Sequence, residues 1–434
     1  MKTNSALKNK KVLVALSGGI DSAVSACLLM KKGYRVEAAF MKNWSSQEGL
    51  LKNECSWLSD RRDALRVAGF LGIKLHTLDF EKQYQSKVMK YFFEEYKKGR
   101  TPNPDVMCNK EIKFKLLYDW ALRNDFDYLA TGHYARVVRR GNSKFRIPNS
   151  KQILKSKPQT NTSYEYQLER SADEFKDQTY FIYNIKTEQL PHLLFPIGGM
   201  KKAQVRAFAR AIGLPNAEKK ESMGLCFVGK IRLKDFLEQK IKAKKGEIVF
   251  VPCLSSRPKS RRRRDERRDP LNVDSTSDKR FLGSSQVLLA RNDTRAVVIG
   301  HHPGLHNYTI GQRQGIKVGQ GGPYFVFGKD LKRNRLYVTN DPNDPRLLVK
   351  EVQIHSVNWI SPPTLPPPPG GRSKEEMDLF GRYRHQGKLA PLSISKIGRG
   401  HYRVIFKHPQ KAVASGQSLV LYQGKECVGG GVIV

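Results

Sequence analysis

The stretch Val12-Leu13-Val14-Ala15-Leu16-Ser17-Gly18-Gly19-Ile20-Asp21-Ser22 leaves few options for how this chain begins to fold. The continuous apolar run predicts a strand buried on both faces, and Ala23 to Met30 then carries apolar residues at helical spacing. Strand, glycine-rich turn and helix aim several backbone N–H groups and a helix N-terminus at one point, the geometry that holds an anion. Gly18 and Gly19 let the backbone come close to a phosphate, and Ser17 and Ser22 can add hydroxyl donors. Asp21 is out of place beside a phosphate unless it braces the loop or holds a metal ion. The pattern has neither the lysine of a Walker loop nor the spacing of a dinucleotide fingerprint. An ordinary βα turn of small residues is the alternative, and nucleotide binding is the better account.

Charge narrows the partner. Lys and Arg number 78 against 40 Asp and Glu, a formal net charge of +38. That excess does not suit a neutral small-molecule enzyme and points to a polyanion, most simply nucleic acid; a solvated basic surface or tail is the bland alternative. Six cysteines, Cys27, Cys55, Cys108, Cys226, Cys253 and Cys427, fit neither a disulfide framework nor a paired zinc motif. No apolar run approaches the roughly 20 residues of a membrane span, and no secretory signal precedes the first strand. The first eleven residues hold four Lys and no acid, which is compatible with a short matrix-targeting segment. A mitochondrial matrix location is therefore the expectation, with bacterial cytoplasm as the alternative.

At 434 residues the chain has room for two or three domains. Tyr34–Met41, Lys74–Asp79 and Asp127–Thr131 read as further strands, separated by helices over 53–71, 84–98 and 113–123. Alternating βα units of this kind specify a doubly wound parallel sheet with ligands at the C-terminal strand ends. Val138 to Glu169 reads as a basic insertion outside the core, and Leu254 to Lys279 as an arginine-rich one. From Gly246 the sequence is strands and turns, with a proline-rich loop at Pro362 to Pro369 and a final run of short strands typical of a small barrel. The expected division is 1–190, a catalytic domain; 191–344, a mainly β central domain carrying Cys226; and 345–434, a C-terminal β-barrel.

Eight motifs then occur in order: SGGIDS, FMKNW (Phe40 to Trp44), GRTPNPDVMCNKEIKF (Gly99 to Phe114), TGHYAR (Thr131 to Arg136), KDQTYF (Lys176 to Phe181), GLCFVG (Gly224 to Gly229), GQRQG (Gly311 to Gly315) and SGQSLVLY (Ser415 to Tyr422). Together they resemble the tRNA-specific 2-thiouridylase family, which replaces the 2-oxygen of the wobble uridine with sulfur. The resemblance runs from about Lys11 to Val434, outside the two insertions and the proline-rich loop. It implies a Rossmann-like α/β sheet of the ATP-pyrophosphatase type, followed by the two β domains. SGGxDS alone is shared with other enzymes that split ATP into AMP and pyrophosphate, such as lysidine synthetase, so that reading stays open. So does a non-catalytic RNA-binding protein that keeps the nucleotide fold.

A uridine carbonyl oxygen is a poor leaving group, and adenylation by ATP, with Mg²⁺ sharing the phosphate charge, turns it into a good one. The resemblance implies that Ala15, Leu16, Ser17, Gly18, Gly19, Ile20, Asp21 and Ser22, with Met41 and Gly132, hold ATP. It implies that Cys226 carries the sulfur as a persulfide received from a donor protein. Cys108 would attack that persulfide, leaving a transient Cys108–Cys226 disulfide, and Asp105 would be the acid/base. Asn103 and Pro104 would shape the pocket for the flipped uridine. His133, Lys176, Asp177, Gln178, Arg382, Tyr383 and Gln417 carry over as tRNA contacts. The expected protein is a monomer acting on the anticodon stem-loop, with no membrane attachment.

Overall fold

The computed structural model describes residues 7–45, 56–140, 166–220, 233–253, 296–316, 318–319, 322–362 and 379–434. Cys226, GLCFVG, the arginine-rich insertion and nearly all of the proline-rich loop lie outside the described residues.

The first strand, β1 (Lys11–Ala15), lies mid-sheet between β2 (Arg35–Lys42) and β4 (Tyr128–Ala130), with β3 (Leu75–Asp79) and β7 (Leu193–Leu194) at the edges; the order is β3-β2-β1-β4-β7 and every pairing is parallel. Val12, Leu13 and Val14 are fully buried because helices cover both faces of the strand. Helix α1 (Ile20–Lys31) packs with α2 (Ser56–Leu71) and α5 (Lys202–Ala211) around Leu16, Val24, Phe40 and Val205. On the other face, α3 (81–97) and α4 (104–123) pack around Leu13, Val88, Phe92 and Ile112. The sheet thus takes in residues beyond 190, and the helix at 202–211 lies against α1.

The 138–169 insertion is narrower than its composition suggests. Strands β5 (Ala135–Arg139) and β6 (Tyr166–Arg170) flank it and pair as an antiparallel hairpin, so both of its ends are ordered. Leu168, fully buried, anchors that hairpin in the catalytic core, which a polar stretch scored as a whole conceals.

Beyond the short helix α6 (Leu233–Lys240), strands β8 (Gly246–Phe250), β9 (Val297–His302), β10 (Phe325–Asp330) and β11 (Arg335–Thr339) make a sheet in the order β10-β11-β8-β9. The last six strands are β12 (Leu348–Trp359), β13 (Leu379–Arg382), β14 (Ala390–Gly398), β15 (His401–Lys411), β16 (Ser418–Gln423) and β17 (Glu426–Ile433). They run β12-β15-β14-β13-β16-β17, and β17 closes on β12 as an antiparallel barrel. Ile394, Val404, Phe406, Leu419 and Leu421 fill its interior. In β16 the alternate residues Val420 and Tyr422 point the other way, into the core shared with Tyr180 and Tyr183 of the catalytic domain. That double burial is why Leu419 to Tyr422 is apolar without a break.

Candidate active site

The Ser17–Ser22 turn closes on itself. Ser22 Oγ donates to the Gly19 carbonyl (3.0 Å) and lies 3.3 Å from Ser17 Oγ. Gly19 caps α1 and, having no side chain, makes no cap hydrogen bond to the N–H groups of its first turn. Gly18 has φ of +77°, and a Cβ there would collide with the Asp60 backbone carbonyl. Gly132, from the end of β4, comes so close that an added Cβ would stand 2.7 Å from Ser22 N and 2.8 Å from the Asp21 carbonyl carbon. The cradle is therefore walled by backbone on both sides.

Asp21 is braced. Lys202 Nζ donates to its two oxygens at 2.8 and 2.9 Å, and Tyr134 Oη donates to Oδ1 at 3.0 Å. Behind the turn, Asn216 Nδ2 donates to the Gly18 carbonyl (3.0 Å), and Lys219 bridges Asp60 and Asp63 of α2 at 2.8 and 2.7 Å. Burial opposes the charge of Lys219, but its hydrogen bonds to the two carboxylates outweigh it and hold the ammonium above the ordinary lysine range. Tyr134, Lys202, Asn216 and Lys219 were not legible as site residues. Lys202 lies 181 positions from its partner and reads locally as one more lysine opening an amphipathic helix.

Arg100-Thr101-Pro102-Asn103 is the turn into the thiol helix. Asn103 Oδ1 accepts from the N–H groups of Asp105 and Val106 (3.1 and 3.3 Å), and Pro104 takes the first helical position, where its missing N–H costs nothing. Asp105 and Cys108 stand three residues apart in Pro104–Cys108, on one side of the helix. The Cys108 thiol is buried and belongs to the same core as Ala15 and Met41, at the ends of β1 and β2. A wide-turn stretch, Asn109–Leu117, follows directly; such turns gather at functional sites. Asn103 and Met107 line a cleft whose far wall is Tyr183, Ser356 and Ser418, bringing the barrel against the helix that carries Cys108.

Several expected RNA contacts face inward instead. Asp177 and Arg382 bind each other (2.7 Å) with side chains 0% and 6% exposed, so this pair joins the catalytic domain to the barrel and presents neither group to a ligand. His133 is likewise buried: Thr131 Oγ1 lies 2.7 Å from its Nδ1, and Phe114 and Phe195 pack on its ring. Burial, reinforced by Lys113, holds its imidazole well below the usual range, so it is neutral. Gln178 Oε1 accepts from Tyr134 N (2.9 Å) and so orients the tyrosine that meets Asp21. Gln417 Nε2 donates to the Thr101 carbonyl (2.8 Å), at the turn before Asn103. Tyr383 packs against Phe406 inside the barrel end, and Lys176 is half-buried on the turn that begins at Asp173.

Comparison with known proteins covers nearly the whole chain. A model described as the tRNA methyl transferase HUP domain matches residues 10–230, its PRC-barrel domain residues 279–340, and an aminomethyltransferase beta-barrel domain residues 349–433. The tRNA-specific 2-thiouridylase MnmA of Flavobacterium johnsoniae is 38% identical over 98% of this chain and 100% of its own length. The protein of that name from Christiangramia forsetii is 39% identical, over 98% and 100%, and that from Lysinibacillus sphaericus 37%, over 98% and 94%. A match of this extent, on a Rossmann-like sheet followed by a closed barrel, shows that the chain belongs to the tRNA-specific 2-thiouridylase family.

Proposed function

We propose that the protein is a tRNA-uridine 2-sulfurtransferase that activates the 2-oxygen of the wobble uridine with ATP and replaces it with sulfur. One observation carries the reading: a single apolar core holds Ala15 and Met41, at the strand ends that present the phosphate loop, together with Cys108 of the thiol helix. Nucleotide chemistry and sulfur chemistry are thereby built on one rigid body.

The residues present fit a triphosphate. Gly18 and Gly132 let neighbouring backbone close in around the turn, the α1 N-terminus ends there, and Ser17 and Ser22 border it. Mg²⁺ bound with ATP would spread the phosphate charge, and Asp21 is the acidic group of the loop that would take it. Met41 would lie against the adenine.

Asn103 and Pro104 fix the backbone beside the flipped base, and Asp105 moves the proton there. Attack of the uridine oxygen on the α-phosphorus forms the adenylated base and expels pyrophosphate. Cys226 holds a persulfide supplied by a donor protein. The Cys108 thiolate attacks the inner sulfur of that persulfide, the S–S bond breaks, and the terminal sulfur leaves with the electron pair as the nucleophile for C2. AMP departs with the original oxygen. The two cysteines are left as a disulfide, and a thiol reductant returns the two electrons.

The family-model descriptions speak of methyl transfer, whereas the relatives' names speak of thiolation. A phosphate loop serves activation by ATP, which a preactivated methyl donor does not need, so the site favours thiolation. The test is to incubate the protein with ATP, an unmodified tRNA transcript and a persulfide donor, then digest the tRNA for mass spectrometry. One 2-thiouridine per AMP and pyrophosphate is expected. Thiolation without ATP, or full activity in Cys108→Ser, would overturn the reading; the second result would point to another enzyme of the SGGxDS type.

A further inference from the structure

The outward side of α2 is not what a surface helix ordinarily shows. Ala64, Val67 and Ala68 bury its inner face against Leu16, Val24 and Phe40, and polar residues are expected opposite them. Instead Leu58, Leu65 and Phe70 stand 40%, 43% and 51% exposed there, with Arg62, Arg66 and Gly69 among them. Spacings of three and four residues put these six on one side of the helix. None of the six is acidic. The acids of α2, Asp60 and Asp63, turn aside to hold Lys219, and Arg66 meets Asp63 at 3.6 Å. A Cβ on Gly69 would have nothing within 4 Å, so the helix surface is open beside Leu65. An exposed apolar stripe set among arginines is the mark of a protein contact.

Helix α2 also borders the site. Its Asp60 carbonyl closes on Gly18, and through Lys219 it ties down the chain that leads to Cys226. Cys226 follows Lys219 by seven residues, so by any path it lies within about 25 Å of that anchor. A protein interface of ordinary size, about 800 Å² a side, spans a comparable distance. We propose that this stripe docks the protein that supplies the persulfide sulfur, a partner presenting an apolar patch bordered by carboxylates. Leu58, Leu65 and Phe70 supply the apolar contact, and Arg62 and Arg66 steer and register the acidic rim. The leucines offer nothing to a phosphate backbone, which argues against RNA as the occupant. From the docked donor, the Cys226 thiolate attacks the outer sulfur of the persulfide. The donor's S–S bond breaks, its cysteine leaves as a thiolate and takes up the proton that Cys226 gave, and no electrons are gained or lost overall. This rests on the reading of Cys226 as the sulfur carrier.

Loading of the intact chain from two sources tests it: a cysteine desulfurase charged with L-cysteine, which must dock, and inorganic polysulfide, which need not. Arg62→Glu combined with Leu65→Glu puts two carboxylates on exposed positions of the stripe and leaves the inner face of α2 untouched. Persulfide on Cys226 is followed by mass spectrometry. The desulfurase concentration for half-maximal loading should rise about tenfold or more, with polysulfide loading and tRNA affinity within about twofold of the parent. An unchanged half-saturation, or an equal fall with both sources, overturns the docking site. So does a parent that loads from polysulfide but never saturably from the desulfurase. Weakened tRNA binding with desulfurase loading intact would reassign the stripe to RNA. Loss of self-association with loading intact, seen by sedimentation velocity, would reassign it to a second copy. A parent that carries no persulfide on Cys226 from either source overturns the sulfur-carrier reading itself, which separates the two failures.

Discussion

The Asp177–Arg382 pair separates two accounts of the same residues. If they read RNA, removing one should weaken tRNA binding and leave the fold untouched. The structure argues otherwise. Asp177 Oδ1 accepts from Ser171 N (3.1 Å), while Oδ2 accepts from Thr179 Oγ1 (2.8 Å) and Arg382 Nη1 (2.7 Å). Asp177→Ala would leave the Arg382 guanidinium between catalytic domain and barrel without this counter-charge, would leave the Ser171 N–H without its acceptor, and would leave the Thr179 hydroxyl with Tyr422 alone. Breaking a buried pair of this kind costs about 3–5 kcal/mol, a large share of the roughly 5–15 kcal/mol by which a domain is stable. At about 2–4 °C per kcal/mol for a unit of this size, the melting temperature should fall by roughly 6–20 °C. Differential scanning fluorimetry measures this. Asp177→Leu combined with Arg382→Met should regain much of the loss, because two apolar groups replace a desolvated ion pair. A melting temperature within about 2 °C of the parent, together with weakened tRNA binding, would refute the argument.

Gly132→Ala should lower ATP affinity by at least about tenfold, because the new Cβ meets the backbone of Asp21 and Ser22; Gly199→Ala, where a Cβ has nothing within 4 Å, is the matched control for isothermal titration. Burial holds His133, His192, His302 and His306 below the usual imidazole range. The unfolded chain therefore binds more protons than the folded one below about pH 6.5, so the stability these groups confer is whole above that pH and is lost as pH falls, by up to about 1.4 kcal/mol per unit for each. Thermal melts from about pH 8 to about pH 5 check the sign, and a melting temperature that rises on acidification would refute it. Cys226→Ser should carry no persulfide, whereas Cys108→Ser should load one and then stall; mass spectrometry of both proteins and of the product nucleoside tests the division, and equal loading would end it.

The parallel sheet was legible because its strands are buried on both faces and its helices keep their period, as in Val12–Leu16 and Ala23–Met30. The glycine turn between β1 and α1 was legible because glycine is needed where backbones cross, and Gly18 and Gly132 both meet main chain. What local pattern conceals is partnership across the chain. Asp177 reads as a polar residue in a polar motif, and only the fold places Arg382 against it, 205 residues later. The same holds for Asn216, which looks like a turn residue after Pro215 and instead supports the Gly18 carbonyl. Charge was informative about the partner class and silent about how each cation is used: Arg382 pairs with buried Asp177, and Lys202 pairs with Asp21 at the Ser17–Ser22 turn.

The loop that leads into the thiol helix shows why the accessory domains are more than arms for gripping RNA. Gly99 offers its carbonyl to Lys329 Nζ of the central sheet (3.0 Å), and Thr101 Oγ1 lies 3.2 Å from Thr309 Oγ1 of the same unit. Thr101 N donates to the Ser415 carbonyl (2.9 Å), and its own carbonyl accepts from Gln417, so the barrel holds the same residue from the other side. Arg100 is held back to α3 by Glu95. Three residues after Arg100, Asn103 caps the helix that carries Asp105 and Cys108. Gly99, Arg100, Thr101 and Asn103 of this loop thus take their path from all three units, and a reacting base needs sub-ångström placement for its barrier to fall. Lys329, half-buried and pushed down to about 8 by burial, faces a neutral carbonyl and no acid in that contact, so it can act as a hydrogen-bond donor to Gly99 in either charge state. The position of the thiol helix is consequently a property of the assembled chain, set by contacts that neither the Rossmann-like sheet nor the barrel contains alone.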